Sequence, residues 1–113
     1  MVFFNHRAID EAGRYIEFEA QCDGITEGKC ILCLSDEFAE ITEITLINPT
    51  LFTVEGLIRA AFNYAANRNY YIGICNAEGA EEYIEKMNFC KTEKGYSNDI
   101  PSILMGNCKN CSK

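Results

Sequence analysis

The strongest constraint on this chain is a change of hydrophobic period at Asn48-Pro49. Ahead of it, Tyr15, Glu17 and Glu19 alternate with Ile16, Phe18 and Ala20, the two-residue period of a strand with one wet face. Behind it, from about Thr53 to Arg68, Leu57, Ile58, Ala61 and Ala65 fall on one helical stripe with Arg59, Asn63 and Asn67 opposite. The pattern predicts an α/β chain of mixed (α+β) sheet type, in which an antiparallel front half joins a βαβ-type rear half.

Finer punctuation places the remaining elements. Residues 1–13 read as an N-terminal arm, a short edge segment ending in a turn at Glu11-Ala12-Gly13. Asp23-Gly24 closes the first alternating strand, and Cys30 to Leu34 is an apolar run of strand length. Phe38 to Ile47 reads as a third strand that changes phase between Ile41 and Ile44, which a bulge or burial on both faces resolves. Asn69 suits a left-handed cap at the end of the helix. Tyr70 to Cys75 has the composition of an interior strand covered on both sides, and Ala80, Tyr83, Ile84 and Met87 share one face of a second helix over about 79–87. Phe89–Thr92 and Tyr96–Ile100 read as a hairpin, followed by a cysteine-containing tail over 101–113 that begins with a short helix at Pro101. The whole chain, 1–113, is expected to be one domain. At that length about two-thirds of the unfolded surface can be buried, and 48% hydrophobic residues suffice for a packed core.

Charge narrows the partners. A formal net charge of -7 with scattered Lys and Arg argues against nucleic acid and anionic membrane, both of which require clustered positive charge. A neutral or cationic small molecule, or a protein, is the expected partner. The opening residues lack the apolar run and cleavage site of a secretory leader, and no stretch has the roughly 20 apolar residues of a membrane span, so the expectation is a cytoplasmic protein. The cysteines, odd in number at seven, then read as reduced thiols, with Cys22, Cys30, Cys33, Cys75 and Cys90 packing as small hydrophobes. Cys30 and Cys33 have knuckle spacing, but on a strand they point to opposite faces. Cys108 and Cys111 have that spacing in a flexible polar context, and metal binding, thiol chemistry and plain disorder all stay open for them. His6 is the single histidine, so a His-rich metal site is ruled out.

Two segments carry a resemblance. Ala39-Glu40-Ile41-Thr42 through Asn48-Pro49, then Gly56-Leu57-Ile58-Arg59-Ala60-Ala61, resembles the cofactor-binding core of the GNAT superfamily of acetyl-CoA-dependent N-acetyltransferases. Glu85-Lys86-Met87-Asn88-Phe89 is similar to that family's second-helix signature, and the likeness spans roughly residues 14–100. It implies an acyl-CoA N-acyltransferase fold, shortened at its N-terminus, with acetyl-CoA or CoA in a cleft between the third strand and Tyr70 to Cys75. By position, Leu46 and Ile47 would face the pantetheine arm, Thr53, Val54, Glu55 and Gly56 the phosphates, and Asn76 the far side of the arm. The resemblance further implies transfer of acetyl to a small-molecule or protein primary amine, with Glu43 as base and Tyr83 as the acid that protonates the departing thiolate. The likeness is that of a short, degenerate member: Thr50-Leu51-Phe52-Thr53-Val54 replaces the family's glycine-rich phosphate loop, and no glycine precedes Gly56 in it. The thirteen-residue arm is too short for the family's first strand and two helices. That leaves the acceptor site open, completed by another subunit, or absent. An uncovered front edge predicts a homodimer, and a catalytically degenerate binding or assembly module of the same fold stands as the alternative function.

Overall fold

A computed structural model describes residues 2–47, 50–78, 81–84, 87, 89–92 and 95–104. The elements run β1 (Val2–Ala8), β2 (Tyr15–Cys22), β3 (Ile25–Leu34), β4 (Phe38–Leu46), α1 (Leu51–Ala66), β5 (Ile72–Cys75), α2 (Glu81–Ile84), β6 (Cys90–Thr92), β7 (Gly95–Asp99) and α3 (Ile100–Leu104). They form one seven-stranded sheet in the order β1-β2-β3-β4-β5-β7-β6. The pairs β1 to β4 are antiparallel, β4 and β5 are parallel across α1, and β7 slots antiparallel between β5 and β6. The antiparallel front and βαβ rear read from the sequence are both present.

The arm is an edge segment, as expected, and forms a full strand. Every residue of Val2–Ala8 pairs with β2, so the chain does supply a first strand. The connection to β2 is a tight turn in which the Asp10 carboxylate accepts from the Arg14 and Tyr15 amides at 3.0 and 2.8 Å, and Gly13 takes φ 72. No helix lies between these two strands, all of whose residues are described. At the next hairpin, Asp23 and Gly24 both hold positive φ, the mirror-image turn that suits the right-handed twist of the flanking strands. The strand that follows begins at Ile25, earlier than the apolar run suggested, because Thr26, Gly28 and Lys29 pair with β2 although the segment is polar, with Glu27 as the extra residue at a bulge.

The phase change in β4 is a bulge. Ile31 pairs with Glu43 and Leu32 with Ile41, so Thr42 is the extra residue, and Ile41 and Ile44 both reach the core side. That core joins Ile16, Phe18, Ala20, Cys30, Leu32, Ala39 and Ile41 of the strands to Val54, Leu57, Ile58, Ala61, Phe62 and Ala65 of α1, all of them buried. Asn69 takes φ 71 just past the helix, as expected, while Tyr70 N–H returns to Ala65 O at 3.1 Å. The Asp99 carboxylate caps α3 by accepting from the Ser102 amide at 2.9 Å.

Both α2 and α3 pack against α1. The sheet is therefore covered by helix on one face only among the described residues, yet Gly73, Ile74 and Cys75 are all buried, so β5 is buried on both faces as its composition predicts. A Cβ on Gly73 would meet Phe62 of α1 at 2.9 Å and Ile103 of α3 at 3.0 Å, so helices press on that face of β5. Ile74 on the opposite face is buried without joining the main core cluster. Of the second helix, Glu81–Ile84 and Met87 are described, with Ile84 and Met87 buried as their spacing predicts. Asn48-Pro49, Ala80, Glu85, Lys86, Asn88, Cys108 and Cys111 lie outside the described residues.

Candidate functional site

The parallel ladder between β4 and β5 runs only from Phe38↔Ile72 to Ile41↔Cys75, and the Asn76 amide adds one more bond to Ile41 O at 3.2 Å. Strand β4 continues to Leu46 without a strand partner on that side among the described residues. The two central strands thus diverge, and a crevice of about 360 Å³ opens between them, lined by Thr42, Glu43, Ile44, Thr45, Asn76 and Glu78. The cause is local: the bulge at Thr42 bends β4 away at the point where β5 ends.

Backbone polarity along the crevice follows from one hydrogen bond. Ile47 N–H donates to Glu27 O at 3.0 Å, so Ile47 turns its main chain toward β3. Alternation along an antiparallel ladder then turns Thr45 and Glu43 the same way, leaving Ile44 and Leu46 to present N–H and C=O to the crevice. Of the expected pair, Leu46 turns its main chain to the crevice and Ile47 does not, and Ile44 stands beside Leu46 there. The Ile47 side chain is 61% exposed, and its amide is already engaged.

Asn76 occupies the opposite wall. Its Nδ2 donates to Glu40 Oε2 at 2.9 Å. A Cβ on Gly95 would fall 1.6 Å from its Oδ1, and Gly95 holds φ 112, so glycine is required there both for conformation and for room. The sequence marked Gly95 only as a turn residue; nothing local signals that a carboxamide from another loop rests on it. Asn76 also borders a second cavity of about 250 Å³, lined with it by Cys75, Ala77, Glu81, Lys91 and Tyr96.

The helix end below the crevice is differently built from the one implied by the resemblance. Thr50 Oγ1 accepts from the Thr53 amide at 3.1 Å, and Val54 N–H is taken by Thr50 O at 3.0 Å. The Val54 bond is the first of the helix ladder, so one of the four otherwise unpaired amides at the N-terminus of α1, that of Thr53, is used by the chain itself. Thr53 and Val54 are buried, so neither side chain faces a ligand. The room at Gly56 is occupied by the Phe4 ring of β1, which an added Cβ would meet at 2.1 Å. Packing, not phosphate approach, explains that glycine. Glu55 is half-buried and brings a carboxylate to the same end, and no basic residue lies in the first turn to offset it. Thr50→Ala should cost about 1 kcal/mol, toward the upper end for a cap because the buried Thr53 hydroxyl also loses its partner at 3.1 Å; a urea midpoint reads it.

Glu43 is exposed at the crevice wall, on the sheet face that carries no helix. Tyr83 is half-buried against the core and is not among the residues lining either cavity, so the expected acid does not meet the expected base. Among the described residues the crevice lining carries Glu43 and Glu78 and no Lys, Arg or His, with Glu40 beside it. Its field attracts an ammonium and repels a phosphate.

Cys30 and Cys33 lie on opposite faces of β3, as their spacing requires: Cys30 is buried in the core and Cys33 half-buried. No group of three or more metal-ligating side chains exists among the described residues. Burial pushes the Cys75 thiol up to about 11, and burial raises the Cys30 thiol as well. Both are protonated at neutral pH, and neither is a nucleophile in the folded chain. Because a raised thiol pKa favours the protonated native state, this contribution to stability is complete below pH 9 and is lost as pH rises toward 11. Alkylation at pH 8 should label Cys22 and Cys33 ahead of Cys75 and Cys30, and denaturant should remove the difference.

No helix among the described residues is long and apolar enough to cross a membrane. No family model matches the chain, and no curated protein matches it by sequence. Solved structures do match. A GNAT family acetyltransferase from Elizabethkingia anophelis, with acetyl-CoA bound, superposes with a TM-score of 0.64 at 14% identity, over 81% of this chain and 78% of that one. The ribosomal-protein-S18-alanine N-acetyltransferase from Escherichia coli gives 0.58 at 11% identity, over 87% and 94%. A probable acetyltransferase from Staphylococcus epidermidis gives 0.55 at 15% identity, over 76% of this chain and 65% of that one. With the splayed central strands, the crossover helix and the inserted β7 in place, the fold of this chain is that of the GNAT acetyltransferases.

Proposed function

We infer that the crevice between β4 and β5 takes the acetyl-pantetheine end of acetyl-CoA and that the protein transfers the acetyl group to a primary amine. The observation carrying this reading is the divergence of the two strands, which leaves the main chain of Ile44 and Leu46 facing an open crevice beside an exposed carboxylate. Those groups suit an amide-bearing arm, which pairs with a strand as another strand does. The nucleotide end fits poorly, since Thr50 caps the helix and Glu55 opposes phosphate.

Acetyl-CoA supplies an acetyl group activated as a thioester. In this reading Glu78 and Glu43 draw the ammonium form of the acceptor into the crevice. Glu43 takes the proton that the amine must lose to become a nucleophile. Asn76, held by Glu40 and Gly95, orients the arm from the far wall. The new amide bond replaces the thioester carbon–sulfur bond, and the second proton that the nitrogen sheds on becoming an amide passes to the departing thiolate. Glu43→Gln is expected to lower turnover by about 10² with the melting temperature unchanged.

A second reading, a catalytically degenerate binding or assembly module, is favoured by a different observation: one of the helix amides and the glycine that a diphosphate would need are spent on Thr50 and Phe4. Titration calorimetry separates the two. The enzyme reading expects acetyl-CoA and acetyl-pantetheine to bind with affinities within about threefold of each other, the nucleotide adding little. Absence of heat from both at millimolar concentration supports the module.

A further inference from the structure

We propose that β1 is a self-complementary edge through which two copies of this chain join, β1 pairing antiparallel with β1 of the second copy about a two-fold axis at Asn5. The sheet has two edges. The β6 edge is three residues long, whereas the β1 edge is seven and contains no Pro, Lys or bulge to discourage pairing. It is also apolar at one end, where Phe3 is 58% exposed and Ile25, at the adjoining β2–β3 turn, is 66% exposed.

Which groups point outward is fixed by one bond. Ile9 N–H donates to Tyr15 O at 2.9 Å, so in the register Ala8↔Ile16, Arg7↔Glu17 the odd residues of β1 turn their main chain to β2. Val2, Phe4, His6 and Ala8 therefore present N–H and C=O to the outside. An antiparallel partner satisfies all of them only if even residues oppose even residues. Among such registers, the one that sets Asn5 against Asn5 pairs the strand from end to end. Val2 then opposes Ala8 of the second copy and Phe4 opposes His6, with every outward amide and carbonyl used.

Side chains agree with this register. Phe3 and Arg7 lie on the helix-free face and oppose one another across the pair, placing a guanidinium beside an exposed ring. Phe4 and His6 lie on the helix side, where His6 stacks on Phe18 and Tyr64 at 5.5 and 5.0 Å, so aromatic meets aromatic there. The strand's one charged residue, Arg7, never meets its own copy. The contact is isologous and closes at two chains.

Sedimentation equilibrium of the full chain tests this. A species of twice 12.7 kDa is expected at tens of micromolar. Asn5→Lys is exposed and faces no core, and it sets two like charges across the axis about 4.5 Å apart at the backbone. It should weaken association at least tenfold at low salt, with partial recovery at 1 M salt. Ala8→Pro removes an outward N–H that β2 does not use and should weaken association with the far-ultraviolet spectrum unchanged. A wild-type chain that stays monomeric at several hundred micromolar overturns the proposal. A dimer that tolerates both substitutions, or growth beyond two chains, overturns it as well.

Discussion

Val54→Asp should leave no cooperative thermal transition. Val54 is completely buried between the start of α1 and the sheet, where the effective penalty for an ion is several kcal/mol and the lost apolar burial adds about 2 kcal/mol. Against a total stability of about 5–15 kcal/mol for a domain of this kind, the sum removes most or all of the folded population. Near-ultraviolet circular dichroism and a melt check it; a transition within a few degrees of wild type would contradict the placement of Val54. The same substitution logic at Phe52 has the opposite expectation. Phe52 is 65% exposed, so Phe52→Glu should leave the melt within about 0.5 kcal/mol of wild type. Under the acetyltransferase reading, it should weaken acetyl-CoA and spare acetyl-pantetheine. A loss of ligand binding at Val54 would report unfolding, and the informative position is its neighbour two residues earlier.

Phe62→Ala is expected to cost about 3–5 kcal/mol, among the largest losses from any neutral substitution in this chain. The Phe62 ring is fully buried, lies against Gly73 of β5 and stands 6.1 Å from the Phe89 ring. Truncating it opens a cavity between the crossover helix and the one strand that the helix must hold in parallel with β4. The denaturant midpoint should fall with the slope unchanged. Because β5 is only four residues long, hydrogen exchange at the Ile74 and Asn76 amides, which face β4, should accelerate more than at β2. Equal acceleration throughout the sheet would mean that Phe62 supports the domain as a whole and not this junction.

Much of this architecture is legible in residue order. The helical stripe Leu57, Ile58, Ala61, Ala65 is buried in full, and the phase slip between Ile41 and Ile44 is the bulge at Thr42. Both signals are periodic, and period is set by local backbone geometry. The first strand was harder to read because Phe3-Phe4-Asn5-His6-Arg7 alternates weakly; an edge strand buries little, so its composition is under little constraint. The crevice was legible in position, from the strand-to-helix junction, but not in detail. Whether Leu46 or Ile47 turns inward depends on the register set by a bond to Glu27, a residue nearly twenty positions earlier. Val54 and Gly56 were misplaced for a related reason. Sequence position near a helix start suggests a ligand, and only the tertiary arrangement reveals that the core and the Phe4 ring claim them first.

The turn that joins β1 directly to β2 has a kinetic corollary. From Val2 to Leu46 every strand pairs with its immediate successor, so loop closure in this stretch is short-range. Strand β5 alone must find a partner across the whole of α1, meeting Phe38 to Ile41 with Ile72 to Cys75. Search time for contacts grows with the chain between them, which places the slow step of self-assembly at this zipper, the longest-range strand pairing in the sheet. A nascent chain emerging from its exit channel has its four-stranded meander outside before the residues that create the opposite wall have emerged.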